Sequence, residues 1–360
     1  MVTKKISERE SCPLFFGKRL AQGHGWAKKR AGDWQSWDLH PASQKRRRRK
    51  NMKRWTKCCA PEGTAVALGM FDGLHLGHRS VLQTLKKKAK ERSLPTLIYT
   101  FSNLPSAYFG GESGMIFTPD EKEEALSEVG IDYLLMPQFD AEVAETPRET
   151  FARFLFQELR AKVVCVGFNY RFGKGALGTP LYLKQWAEQY GAELLEQPPF
   201  LAEGKAVSST RIRCALRQGN IKQAAELLGR PYEIVDIVAH GKQLGRQMGF
   251  PTLNFYPPKQ KLMPKHGVYA AEVELEGQRY AAVTNIGIRP TVKDGDALSV
   301  ESNLAGFEGD AYGKKAKVRL LEFLRGEQKF ESLDALICQI EKDKRIAQEC
   351  VNIAQQRGLH

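Results

Sequence analysis

The chain has no uninterrupted apolar run of 18 residues, so its sequence offers no helix able to cross a bilayer. It also lacks the apolar centre of a secretory signal, since the only apolar stretch near its start, residues 13–16, is far too short. Seven cysteines (12, 58, 59, 165, 214, 338 and 350) show no paired framework. That usage argues against a disulfide-stapled secreted domain and for a reducing, cytoplasmic setting. Net charge is missing from most of the chain as well. The formal charge of +14 invites a nucleic-acid reading, yet residues 1–60 hold 17 Lys and Arg against 4 Asp and Glu, leaving 38 against 37 in the remaining 300. The body is nearly neutral, so no nucleic-acid partner is expected of it, and none of its segments calls for a membrane.

A length of 360 residues, with 42% hydrophobic and 27% charged residues, suits two or three globular domains. Residues 1–60 read as a basic leader without regular structure. They contain the unbroken basic run 45–50 and four of the five tryptophans (26, 34, 37 and 55). Such a run with aromatics can tether RNA or a membrane surface. The simpler expectation is a solvated tail, or sequence upstream of a start at Met52, from which 309 residues would follow.

Between residues 65 and 195, strand-like runs (65–70, 95–101, 132–136, 163–167, 192–195) alternate with helical stretches (78–92, 119–129, 147–161, 180–190). Two helices open on a capping-box pattern with proline: Thr118-Pro119-Asp120-Glu121 and Thr146-Pro147-Arg148-Glu149. The alternation predicts a parallel sheet covered by helices on both faces, with ligands beyond the carboxyl ends of its strands.

Residues 69–78, Gly-Met-Phe-Asp-Gly-Leu-His-Leu-Gly-His, fall at such an end, where a strand turns into a helix. Free backbone N–H groups and the helix dipole favour an anion there, and glycines let it approach. His75 and His78 can present two donors to one anion. The bland alternative is a capped helix start. A zinc site is weaker, because the spacing is not i, i+4 and no third ligand is near. Residues 167–175 tempt towards a Walker loop, but the glycine count fails and Lys174 is followed by glycine. Asn169 and Arg171 in that loop are credible ligand contacts. Ser208, Ser209 and Thr210 open a helix to about residue 218, where they can cap it or bind phosphate alongside Arg213.

After Gly229, alternating strands dominate (232–239, 267–275, 279–285, 298–304, 316–323), punctuated by Gly and Pro and followed by a helix over about 332–355. This predicts a compact antiparallel barrel closed by a helix. Within it, Gly249-Phe250-Pro251-Thr252-Leu253-Asn254 places a hydroxyl and an amide oxygen two apart on an extended segment. Both would point the same way, suited to Mg²⁺ with phosphates; a plain turn is the alternative. Glu301 sits inside an apolar strand pattern, as a structural partner or as a general base.

Taken together and in order, these motifs, with Thr100-Phe101, residues 166–173, Leu227 to Tyr232, Gly267-Val268-Tyr269, residues 285–291 and Phe323-Leu324-Arg325, resemble the bacterial bifunctional FAD synthetases. The resemblance spans roughly residues 65–347. It implies a Rossmann-like nucleotidyltransferase domain with a parallel sheet (61–229) and an antiparallel riboflavin-kinase β-barrel with a closing helix (230–360). The implied substrates are riboflavin, FMN and ATP with Mg²⁺, and no prosthetic group is implied. Gly69, Phe71, Gly73 and Gly77 would shape the ATP turn, with His75 and His78 donating to phosphates. Ser209, Thr210 and Arg213 would hold pyrophosphate, and Asn169 and Arg171 would face the reacting groups. In the second half, Gly249, Thr252 and Asn254 would arrange Mg-ATP, Thr252 and Asn254 as metal ligands. Glu301 would take the ribityl hydroxyl proton, and Asn285 and Arg325 would meet the flavin. Asn169 stands where many relatives carry Asp, Leu253 where Ala is usual and Gly306 where Asp is common. Rival readings are a nucleotidyltransferase with another acceptor and a basic nucleic-acid-binding protein.

Overall fold

Five consecutive buried residues, Thr64–Leu68, form the strand at the centre of the first sheet, as an apolar run covered on both faces should. The structure is a computed structural model and describes residues 52–55, 62–240, 252–291 and 295–356. In chain order the first half holds β1 (Lys53–Arg54), β2 (Thr64–Leu68), α1 (Leu76–Glu91), β3 (Thr96–Tyr99), α2 (Pro105–Tyr108), α3 (Pro119–Val129), β4 (Tyr133–Leu135), α4 (Ala141–Glu145), α5 (Arg148–Arg153), β5 (Ala161–Gly167), α6 (Pro180–Gln189) and β6 (Glu193–Gln197). A small hairpin, β7 (Leu201–Ala202) and β8 (Lys205–Ala206), leads to α7 (Ser209–Gln218) and α8 (Ile221–Leu228).

The sheet order β1-β4-β3-β2-β5-β6 is parallel throughout. From β2 the chain steps outward to β3 and β4, then crosses to β5 on the other side. The order therefore reverses between β2 and β5, which is where a doubly wound sheet opens a crevice. Alternate residues of β2 feed two cores. Ala65 and Ala67 pack with Leu82 and Leu85 of α1, and Val66 and Leu68 with Leu155, Phe156 and Leu183.

Local signals meet two different fates here. Thr118 closes a full capping box: its hydroxyl accepts from the Glu121 N–H at 3.2 Å, and the Glu121 carboxylate accepts from the Thr118 N–H at 2.8 Å. The box expected at Thr146 does not form. Its hydroxyl donates instead to the Glu142 carbonyl at 2.8 Å, finishing α4, and Pro147 precedes α5 without a side-chain cap. The expected leader is also shortened. Lys53 and Arg54 add a parallel edge strand to β4, and Trp55 packs edge-on to Tyr133 at 5.4 Å. The basic run 45–50 lies outside the described residues.

The second half holds β9 (Tyr232–Ile237), β10 (Thr252–Phe255), β11 (Gly267–Leu275), β12 (Gln278–Thr291), β13 (Gly295–Leu304), β14 (Lys315–Arg325) and α9 (Leu333–Gln356). Its antiparallel order is β10-β13-β12-β11-β14-β9. The sheet curls until the Ala239 N–H, just past β9, donates to the Asn254 carbonyl of β10 at 2.8 Å. Tyr232, Phe255, Tyr269, Ile286 and Val300 fill the interior, and α9 packs against β11, β12 and β14. The same core takes in Ile212 and Leu216 of α7 and Leu227 and Leu228 of α8, so apolar packing runs straight through the boundary expected at residue 229. At this junction Lys261, buried, donates to both Glu121 oxygens (2.8 and 2.7 Å) and to the Ile116 carbonyl (2.9 Å).

Candidate active sites

The turn after β2 opens at the strand-order reversal. Phe71 and Leu74 hold left-handed backbone, at φ 47 and 43, although neither is glycine. Such strain persists where the surroundings impose it. Gly73 (φ +82) has no room for a Cβ, which would lie 2.7 Å from Ile116. Asp72 clamps the turn: its carboxylate accepts from the Ile116 and Phe117 N–H groups (3.1 and 2.8 Å) and meets the Arg213 guanidinium at 2.5 Å.

α1 begins on His75, whose Nδ1 accepts the His78 backbone N–H at 3.2 Å. The capped-start reading therefore holds for His75, and it assigns the tautomer, because an accepting Nδ1 leaves the proton of a neutral ring on Nε2. The His78 ring stacks on it at 3.6 Å, and its own Nδ1 is buried without a hydrogen-bond partner among the described residues. Burial pushes the His75 pKa down to about 4. It also drives that of His78 well below its ordinary value, with the charges of His75, Lys122 and Arg213 acting in the same direction. The pair thus offers neutral N–H donors rather than imidazolium charge.

A second helix start closes on the same place. Ser208 caps α7 by accepting from the Arg211 N–H at 3.3 Å, and the Ser209 hydroxyl donates to the Asp72 carbonyl at 3.2 Å. Neither α1 nor α7 has an acidic residue in its first turn. Two positive helix ends therefore converge beside the strained turn. Thr210 is exposed at that end of α7. Arg213 is only 9% exposed and also donates to the Gly114 carbonyl at 3.0 Å. It braces the turn through Asp72.

Leu68 pairs with Val166, so the loop after β5 leaves the sheet beside the turn after β2. Asn169 and Arg171 are exposed there, Arg171 donating to the Tyr170 carbonyl at 2.8 Å. On the other side, past β3 and β4, the Phe139 ring gathers Phe101, Tyr108 and Phe109 at 5.2, 5.7 and 5.9 Å. Tyr108 and Phe109 are exposed. Of this aromatic ledge, the motifs in the sequence had marked only Phe101.

In the barrel, strand register assembles the second set. Asn254 of β10 and Asn285 of β12 both stand opposite Glu301 of β13. Partners at one register position share a face, so three residues far apart in sequence form one polar row. Thr252 stands opposite Asn303 on the same face. The Asn254 amide nitrogen donates to the Thr252 carbonyl at 3.3 Å, and the Asn285 amide nitrogen to Glu327 at 3.2 Å. Arg325 donates twice to the buried Asp343 of α9, at 3.1 and 2.8 Å, and so fastens the helix to the barrel. Gly249 lies outside the described residues.

Comparison with known proteins separates the readings left open. The FAD synthetase family model matches residues 58–211, and the riboflavin kinase model matches residues 228–351. The bifunctional riboflavin kinase/FMN adenylyltransferase of Escherichia coli (strain K12) is 38% identical over 80% of this chain and 93% of its own length. That of Bacillus subtilis (strain 168) is 34% identical over 79% and 91%. The chain belongs to the bifunctional riboflavin kinase/FMN adenylyltransferase family. Both halves of that family are present, so the chain is a riboflavin kinase and an FAD synthetase. A solved structure described as a macrolide-efflux protein from Streptococcus pneumoniae is 30% identical, covers 82% of this chain and 99% of its own, and superposes with a TM-score of 0.74. No helix among the described residues here is long and apolar enough to cross a membrane.

Within this family frame, the α/β half brings together His75, His78, Ser209 and Asp72, and the barrel half brings together Asn254, Glu301 and Asn285. Sequence reasoning did not mark Lys122, which is fully buried near the first of these sites. It sits in the run Asp120-Glu121-Lys122-Glu123-Glu124, which carries no signal of burial.

Proposed function

We propose the following division of labour for the two reactions. In the barrel, Glu301 takes the proton from the ribityl 5′-hydroxyl, whose oxygen attacks the γ-phosphorus of ATP; FMN forms and ADP leaves. Thr252 and Asn254 are hard oxygen donors of the kind that hold Mg²⁺ together with substrate phosphates. The amide nitrogen of Asn254 donates to the Thr252 carbonyl, which holds the two residues together. When bound, the ion offsets phosphate charge. Asn285, beside Glu301, meets the flavin's polar chain.

In the α/β half, the FMN phosphate attacks the α-phosphorus of a second ATP, and pyrophosphate leaves. The attacking group is already an anion, so no protein nucleophile is needed, and positioning with charge stabilisation carries the step. The Nε2–H of His75 and the ring of His78 donate to the phosphates. Ser209 and Thr210, at the α7 start, hold the departing pyrophosphate, while Asn169 and Arg171 cover the reacting groups from the β5 side. The Phe101, Tyr108, Phe109 and Phe139 ledge is a planar apolar surface suited to a flavin ring. A cytoplasmic setting accords with free thiols at Cys165, Cys214, Cys338 and Cys350.

The observation that carries this reading is the convergence of two helix starts and two neutral histidines on the β2 turn. The test supplies riboflavin and Mg-ATP to the purified protein and follows FMN and FAD by chromatography. Wild type should yield FAD, and His78→Ala should accumulate FMN. FAD formation by His78→Ala at the wild-type rate would remove His78 from the chemistry.

A further inference from the structure

Lys122 is a charged side chain with no exposed surface, and the division of labour above gives it nothing to do. Its ammonium donates to the Phe101 carbonyl at 2.7 Å, at the end of β3. That is one neutral acceptor among the described residues for a group with three N–H bonds, a poor return for burying a cation. A hydrocarbon side chain would fill the same space without the desolvation cost.

The surroundings suggest why a cation stands there. Lys122 follows Glu121 on α3, whose cap, Thr118, comes directly after the two N–H groups that hold the Asp72 carboxylate. Its charge is felt by Asp72 on the turn and by His78 on α1, where it opposes protonation of the ring. Also around the turn are His75 and Arg79 on α1, Arg79 donating through Nε to the Leu74 carbonyl at 3.2 Å, and Arg213 on α7. On the other side of α3, Glu121 is committed to Lys261. Of the cations around the turn, Arg213 is matched by Asp72 at 2.5 Å, and Arg79 is held on the Leu74 carbonyl. The histidines are neutral. To these Lys122 adds a buried ammonium that is bonded to no carboxylate among the described residues.

We propose that Lys122 is a positioning residue of the adenylyl-transfer site: its buried ammonium, anchored on the Phe101 carbonyl, supplies positive charge behind the phosphate turn. The same anchor joins the backbone of the aromatic ledge to the phosphate turn, so charge and flavin platform share one support. Lys122 acts through the field and through Phe101, not by touching substrate. This inference rests on assigning residues 69–78 to adenylyl transfer.

A charge role has a pH signature that a packing role lacks. Burial lowers the Lys122 pKa from 10.5 to about 8, with Asp72 pulling the other way. The ammonium is therefore present below that pH and lost as pH rises through it. Phosphate groups have shed their last proton by then, near pH 6. The kcat/KM for FMN should accordingly fall on the alkaline side around pH 8, in the wild-type enzyme and without any substitution.

The experiment measures FMN adenylylation from pH 6.5 to 9.5 in wild type, Lys122→Gln and Lys122→Met, with riboflavin phosphorylation by the same samples as the folding control. Gln keeps a donor for the Phe101 carbonyl and removes only the charge. Both variants should lose about 10- to 100-fold in kcat/KM for FMN at pH 7, lose the alkaline decline, and phosphorylate riboflavin normally. A wild-type profile that is flat across pH 8 overturns the inference, whatever the variants do. So does Lys122→Gln with wild-type activity, or with the alkaline decline intact. His78→Ala run alongside separates the two assignments: if it still makes FAD, the reading of the turn fails; if it does not and Lys122→Gln does, only the role of Lys122 fails.

Discussion

The imidazole of His75 accepts the backbone N–H of His78 and lies flat against its ring, the centroids 3.6 Å apart. One side chain thus starts a helix and orders a neighbouring donor. The two duties can be separated by substitution.

His75→Asn keeps a capping oxygen in place of Nδ1 and loses the Nε2–H. Stability should stay within about 1 kcal/mol of wild type, since Asn is a good cap. Adenylyl transfer should fall by about 100-fold or more. His75→Ala should lose the cap as well, at a further cost of about 1 kcal/mol. Urea midpoints and initial rates of FAD formation check both; an active Asn variant would leave His75 a cap and nothing else.

Acid should weaken the fold through the same pair. The folded pKa of His75 lies below its unfolded value, about 4 against 6.5, so the unfolded chain takes up the proton first. Its contribution is complete above pH 6.5 and is lost as pH falls towards 4, at most roughly 3 kcal/mol. Urea unfolding at pH 7, 5.5 and 4.5 should show the loss, and His75→Asn should flatten it. Equal slopes in the two proteins would place the acid sensitivity elsewhere.

Glu301→Gln keeps the size of the side chain opposite Asn254 and Asn285 but cannot take a proton. Riboflavin phosphorylation should drop by about 10²- to 10⁴-fold, while added FMN is still converted to FAD. Near-normal FMN formation in this variant would make Glu301 a structural member of the row.

Lys261→Met removes the cation that Glu121 holds between α3 and the barrel. The carboxylate keeps the Thr118 N–H at 2.8 Å but is left as a buried charge, a loss of about 3–5 kcal/mol. Adding Glu121→Gln should recover most of it, because the stranded charge disappears. Unfolding of the two single variants and the double variant measures the coupling; simple additivity would show that the pair contributes little as a pair.

How far these residues could be read from the chain depended on where their partners lie. Pro119 and its capping box were legible because every participant is within four residues. β2, β3 and β5 were legible because a strand buried on both faces is an apolar run. β1 was not, since Lys53 and Arg54 become a strand only by pairing with Tyr133 and Leu134. The partners of Arg213 and Arg325 lie 141 and 18 residues away, at Asp72 and Asp343, beyond the reach of a local pattern. The Thr146 hydroxyl had two helix ends within reach, and pattern alone could not choose between them. Glu301 was marked by its odd place in an apolar strand, but its alignment with Asn254 and Asn285 is a matter of register.

α7 has one end in each half of the molecule's work. Ser209, in its first turn, touches the phosphate turn, and a turn later Ile212 and Leu216 belong to the barrel core. A gene divided in the stretch between the two family matches would therefore not release two finished enzymes. The upstream product would carry a helix whose apolar side has no lining, and its first turn would lose its seat beside Asp72. α7 is thus held from both sides at once, and the place of Ser209 beside Asp72 rests on apolar packing that the barrel supplies.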